Sequence, residues 1–198
     1  AIQLIDQAID RGQKIVIVGD YDADGATSTA LMVLALRDMG AKVDYLVPDR
    51  FKYGYGLTPA IADLAFVNFT PDLLITVDNG ISSHDGVKQA QDHGMQVIIT
   101  DHHLTTKPTP EAEAVVNPNQ LGCNFPSKAL AGVGVAFYVL ANLSTHRKKL
   151  GKSTTSIINY LDLVALGTYA DVASLDYNNR ILVDAGLKRI QQGHCRAG

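Results

Sequence analysis

The stretch "KIVIVGDYDADGATSTALMVLALRDMG", residues 14–40, opens as a strand and closes as a helix, with a knot of acid between them. "KIVIV" (14–18) is a β-branched apolar run of strand length without alternation, the pattern of a strand buried on both faces. "ATSTALMVLALRDMG" (26–40) reads as a helix that ends at Gly40. Asp20, Asp22 and Asp24 stand at alternate positions between the two, followed by Gly25. Such crowding disfavours both regular structures and raises the cost of ionisation unless a cation compensates.

Outward from this unit the same alternation repeats. "KVDYLV" (42–47), "DLLITV" (72–77), "MQVIIT" (95–100) and "EAVVN" (113–117) read as further strands. "TPAIADLAFV" (58–67), with Thr58 as N-cap and Pro59 at the first position, and "SSHDGVKQAQDHG" (82–94) read as helices. The opening "AIQLIDQAIDRGQK" reads as an amphipathic helix. The expected class is α/β, a mostly parallel sheet with helices on both faces. From about residue 129 the character turns helical, over 131–143, 153–167 and roughly 178–191, with "STHRKKLGKS" (144–153) as a basic connector. The organisation expected is one domain over 1–198, with the sheet within residues 1–128 and a helical region over residues 129–198.

Composition narrows the classes. Of 198 residues 46% are hydrophobic and 19% charged, ordinary for a folded globular chain. No apolar run approaches membrane-spanning length, and the start lacks the basic and apolar regions of a signal peptide. Cys123 and Cys195 are the only cysteines, which points to a reducing cytoplasm and no disulfide framework. A net charge of −3 excludes a generic nucleic-acid coat and leaves room for a local basic groove. The chain begins without Met and stops just past a helical pattern, so a fragment of something longer is expected.

Position matters more than count. The three acids follow the first strand, Asp78 of "TVDNG" follows the third, and Asp101, His102 and His103 follow the fourth. Ligands of open parallel sheets bind beyond the carboxyl ends of the strands, so three strands deliver these groups to one edge. Mixed carboxylate and imidazole ligands suit Mn²⁺ and tolerate Mg²⁺. An EF-hand loop is excluded: "ATSTALMVL" follows where its ligands would continue, and a strand stands where a helix should lead. His84 and His93, on a helix among charged neighbours, and His146, in the basic connector, are read as surface residues.

Taken together, "DYDADG", "VDNG" and "DHH" resemble the DHH phosphoesterase family, and within it the single-strand-specific exonucleases. "PDRFKYGYGL" (48–57), "VVNPNQ" (115–120), "LAGVGVAFYVL" (130–140) and "LGTYADV" (166–172) extend the resemblance over about 20–180. It implies two divalent cations, Mn²⁺ or Mg²⁺, with Asp78 shared between them. Asp22 would join Asp78 on the first ion, while Asp24, His102 and Asp171 would hold the second, the helical region thereby completing the site. Relatives carry a histidine four residues before the counterpart of Asp22, where this chain has Val18. The alternatives there are Asp20 as the substitute ligand, or water.

The resemblance further places His103 close to the scissile phosphate, with Asp101 as the acid that orients its neighbours. Arg50 and Lys52 are expected to meet phosphates and Tyr53 or Tyr55 to stack on a base. "GVGVAF" has two readings, close helix–sheet packing or amides offered to a phosphate. The implied activity is 5′-to-3′ hydrolysis of single-stranded DNA to 5′-mononucleotides, in DNA repair and recombination. Single-stranded DNA is the implied partner, joined in a longer protein by a single-strand DNA-binding protein or a helicase. A monomer without membrane association is expected, and a C-terminal substrate-binding domain of such enzymes lies outside these residues. The competing readings are another DHH enzyme, acting on oligoribonucleotides, nucleotides or pyrophosphate, and a non-catalytic scaffold.

Overall fold

The computed structural model describes residues 1–195. In chain order it contains α1 (Ile2–Asp10), β1 (Lys14–Gly19), α2 (Ala23–Asp38), β2 (Lys42–Leu46), α3 (Arg50–Tyr53), α4 (Pro59–Phe69), β3 (Leu73–Val77) and α5 (His84–Asp92). Then follow β4 (Gln96–Thr100), β5 (Ala114–Val116), α6 (Gly132–Lys149), a 3-10 turn (Ile157–Tyr160), α7 (Leu161–Ala170) and α8 (Tyr177–Gln191). The strands form one sheet in the order β2-β1-β3-β4-β5, with every neighbouring pair parallel. This is the expected α/β class.

Strand periodicity distributes the core. Ile15, Ile17, Leu73, Ile75, Val77 and Ile98 face α1, α2, α6 and α7. Val16, Val18, Leu74, Val97 and Ile99 face the other way, onto Leu57 and onto α4 and α5 through Ile61, Ala62, Ala65, Val87 and Ala90. Both faces are covered, which is why the strands read as continuous apolar runs. Among the described residues no helix is long and apolar enough to cross a membrane.

Strand limits fall within one residue of those read from sequence, whereas helix limits differ for identifiable reasons. Helix α2 begins at Ala23 because Asp22 is its N-cap, accepting from the Gly25 amide at 2.9 Å. Asp24 therefore lies in the first helical turn rather than in the loop before it. The connector over 144–153 is a correction: α6 runs on through Lys149. Arg147 Nη1 donates to Asp6 at 2.6 Å and Asp10 at 3.1 Å, and Lys152 Nζ donates to the same two carboxylates at 2.6 Å each. Charge that reads as solvated is thus spent tying α1 to the end of α6. Burial alone would raise the Asp6 carboxyl, yet the bonds from Lys152 and Arg147 hold it below the usual range. Over 153–167 a turn of 3-10 helix precedes α7, so only the second half is α-helical.

Candidate metal centre

Register brings the chemistry to one line. Gly19 pairs with Val77, Val77 with Thr100, and Thr100 with Val116. The residues one step beyond, Asp20, Asp78, Asp101 and Asn117, form a row along the carboxyl edge of the sheet. Asp78 adopts φ +61, the left-handed region that an aspartate tolerates better than most residues, and this turns the chain out of β3. Asn79 pins that turn, donating through Nδ2 to the carbonyls of Val77 at 2.9 Å and Val18 at 3.1 Å. Val18 itself packs in the core on the α4 and α5 side.

Three overlapping groups have potential ligand atoms within 4.8 Å of one another: Asp20, Asp22 and Asp78; Asp24, His102 and Asp171; and Asp78, His102 and His103. Asp171 arrives as the C-cap of α7, so the helical region supplies one carboxylate to a cluster built by the sheet. Its carboxyl is raised by burial, against the pull of His102.

Asp24 is 2% exposed, and its carboxylate accepts from the Gly132 amide at 2.6 Å and the Val133 amide at 2.9 Å. It therefore caps the N-terminus of α6 from a distant segment of the chain. Both open readings of "GVGVAF" are answered there: these two amides meet a carboxylate of this chain, and the helix also comes close. A Cβ on Gly132 would stand 2.7 Å from Asp78 Cβ and Oδ1, so only glycine admits this approach. A Cβ on Gly25 would meet the Asp20 carbonyl oxygen at 2.4 Å, so its requirement too is close approach.

The electrostatics call for added positive charge. Burial pushes the Asp78 carboxyl up to about 7, with Asp24 and Asp22 adding repulsion, and burial raises Asp24 as well. Burial alone would lower His102, but the adjoining Asp78 and Asp24 carboxylates bring it up to about 9. His102 Nε2 lies 3.1 Å from Asp78 Oδ1, and no other donor reaches that buried oxygen. Clustered carboxylates, two of them buried, an imidazole and an oxygen that only this imidazole reaches form a set that a hard divalent cation satisfies. The residues present fit such ions.

His103 is held differently. Its Nδ1 lies 2.6 Å from Asp101 Oδ1, and this hydrogen bond raises the imidazole above its ordinary value. Burial alone would raise Asp101, but its bonds to His103 and to the Ile81 amide keep it low. On the far side Nε2 meets the Tyr55 hydroxyl at 3.1 Å. Burial raises the Tyr55 phenol strongly, so it stays protonated.

Of the residues expected to meet substrate, Arg50 and Tyr55 contact these groups, Arg50 through a pairing that sequence does not reveal. Residues 50–53 form the short α3, capped by Asp49, which accepts from the Phe51 amide at 2.9 Å. Arg50 Nη2 donates to both oxygens of Asp20, at 3.1 and 3.2 Å, and its guanidinium sits 3.7 Å above the Tyr21 ring. Lys52 lies over the Tyr53 ring instead, 4.9 Å from its centroid. His93, read as a surface residue, is partly covered: it bonds Asp63 at 2.6 Å and stacks on Phe66. His146 stands 3.5 Å from Asp6. Asn117 and Asn119 bond the backbone of the two site histidines. Sequence reading gave them no role, and the quoted "VVNPNQ" was the available signal.

The chain is similar to known proteins over its whole length. Residues 14–168 match the DHH family, N-terminal domain. Over 100% of its length the chain is 52% identical to the single-stranded-DNA-specific exonuclease RecJ of Escherichia coli, of which it spans 35%. It is 54% identical to the RecJ of Haemophilus influenzae, again spanning 35% of that relative. Among solved structures, an exonuclease RecJ bound to manganese superposes with a TM-score of 0.83 at 38% identity, covering 96% of this chain and 47% of that one.

Proposed function

The chain belongs to the DHH family, and on that premise we propose that it forms the nuclease core of a single-strand-specific DNA exonuclease that uses two divalent cations, Mn²⁺ or Mg²⁺. The observation that carries the reading is the convergence of Asp20, Asp22, Asp24, Asp78, His102 and Asp171 within overlapping groups at one sheet edge. Whole-length identity to RecJ exonucleases directs the choice of substrate. Asp22 and Asp20 would hold one ion and Asp24, His102 and Asp171 the other, with Asp78 between. When bound, the cations neutralise the clustered carboxylates and supply the Lewis-acid chemistry of phosphodiester hydrolysis.

The remaining steps fall to side chains. The hydrogen bond to Asp101 favours the charged form of His103, and Nε2 is the atom from which a leaving 3′-oxygen would receive a proton. Arg50 would meet a phosphate, exchanging some of its contact with Asp20 for the incoming anion. Tyr21 and Tyr55, both half-exposed, offer rings on which bases stack, a sequence-tolerant means of gripping single strands. Both cysteines are free, in keeping with action in the cytoplasm.

The test is product analysis with the full-length protein in Mn²⁺. Release of mononucleotides from the 5′ end of labelled single-stranded DNA is expected, with duplex DNA resistant. Hydrolysis of dinucleotides or pyrophosphate in place of DNA would assign the site to another DHH chemistry.

A further inference from the structure

We propose that Asn117 and Asn119 are positioning residues, which aim the two histidines of the centre by holding their backbone. The inference rests on the metal-centre reading and extends it beyond the groups that touch ion or substrate. The starting point is the row at the sheet edge, whose fourth member, Asn117, follows Val116 as Asp101 follows Thr100. Being uncharged, it answers none of the centre's need for anionic ligands, and at 1% exposed it is as buried as Asp101.

Its amide turns back on the chain. Nδ2 of Asn117 donates to the His103 carbonyl at 3.0 Å, and Oδ1 accepts from the Asn119 amide at 2.7 Å. Asn119 Nδ2 in turn donates to the His102 carbonyl at 2.6 Å and the Lys128 carbonyl at 3.2 Å. From the opposite side Asp101 Oδ1 accepts the amides of His102 at 2.7 Å and His103 at 3.1 Å. All four polar backbone groups of the dipeptide are therefore claimed, the two N–H by an aspartate and the two C=O by the asparagines.

No regular structure takes over at this point: the chain from 101 to 113 carries neither helix nor strand, and Leu104 is 84% exposed. Without a ladder to fix φ and ψ, these bonds set the backbone from which each imidazole projects, to which His103 adds its ring contacts with Asp101 and Tyr55. The spacing follows from the same geometry. Asn117 makes an Asx turn onto Asn119, and Pro118 between them has a fixed φ and no N–H to satisfy. Lys128 closes the arrangement, donating through Nζ to the carbonyls of Pro118 and Cys123.

The test uses the full-length protein and two readouts: calorimetric Mn²⁺ titration without DNA, and steady-state cleavage of single-stranded DNA. Asn119→Asp keeps the shape, removes both donors and sets a carboxylate against two carbonyls. It is expected to weaken Mn²⁺ binding by about 10–100-fold, and to lower kcat while leaving KM for DNA unchanged. Asn119→Ala, which brings no new charge, serves as the second variant with the same expected direction. Wild-type Mn²⁺ affinity in either variant, once folded, overturns the proposal while the metal-centre reading stands. Loss of binding in both variants that tracks a collapsed melting transition of the metal-free protein overturns it too, because plain structural support would then suffice. Failure of the wild-type protein to bind Mn²⁺ removes the metal-centre reading and this inference with it.

Discussion

Asp22 and Asp24 stand two residues apart and belong to different worlds of support. Asp22 is exposed and capped onto its own helix, with the Gly25 amide three residues away as its partner. Asp24 is 2% exposed and bonded to amides 108 and 109 residues further along the chain. Beside Asp22, Asp20 is held by an arginine on a four-residue helix. Around Asp24 the neighbours are set by packed helices, since α2, α6 and α7 meet there. One side of the centre is held by buried contacts from distant segments, and the other by local and more exposed ones.

The comparison can be broken most completely at the residue the two sides share. Asp78→Ala removes a carboxylate present in two of the three groups, and cleavage is expected to fall below detection in a labelled-strand assay. Activity retained at a measurable level would show that the sides work independently.

Next in size is the pair Asp24→Asn and Asp22→Asn. The first sets an amide N–H₂ against one of the two backbone donors, Gly132 N–H or Val133 N–H, and a loss of about 1–3 kcal/mol in stability is expected alongside lost Mn²⁺ binding. Asparagine is as good an N-cap as aspartate, so Asp22→Asn is expected to melt like the wild type and to lose metal affinity alone. Denaturant titration of both variants separates the outcomes, and equal destabilisation would erase the distinction between the sides.

Gly132→Ala sharpens the point by steric means. Its Cβ would press on Asp78 at 2.7 Å, with an expected cost of about 1–3 kcal/mol for overpacking. Mn²⁺ affinity is expected to weaken through a displaced Asp78, a change that calorimetry would detect.

The smallest expected effect on the metal centre comes from a change far from it, at the α1–α6 contact. Asp6 has a lowered carboxyl pKa, so its contribution to stability is present above the ordinary carboxylate value and is lost as pH falls through the lowered one. Asp6→Asn should therefore flatten the acid limb of the stability profile, and near neutral pH cost about 1.5–3 kcal/mol for the lost charged hydrogen bonds. An unchanged acid limb in urea melts at several pH values would locate acid sensitivity elsewhere.

What could be read from sequence follows the range of the interactions. Strand periodicity, the Thr58 cap and the acids beyond β1, β3 and β4 depend on neighbours within a few residues, and all of them are legible. Asp24 as the cap of α6, Arg50 as the partner of Asp20, and Arg147 as the partner of Asp6 join residues 30 to 141 positions apart. No local pattern encodes those pairings. The basic run 144–149 looked like a connector because its neutralising acids lie on α1. The asparagines of "VVNPNQ" were visible as a motif, but their partners are backbone carbonyls, which every sequence carries and none advertises.

The reach of Asp24 also bears on how the protein is made. At ribosomal rates of about 5–20 residues per second, roughly 5–20 s pass between the emergence of Asp24 and that of the amides it will cap. Until then the acids of residues 20–24 leave the tunnel as an open, charged loop on a half-built sheet. The centre takes shape only when α6 docks, so a nascent chain cannot complete this cluster of acids and histidines before its helical region has been synthesised.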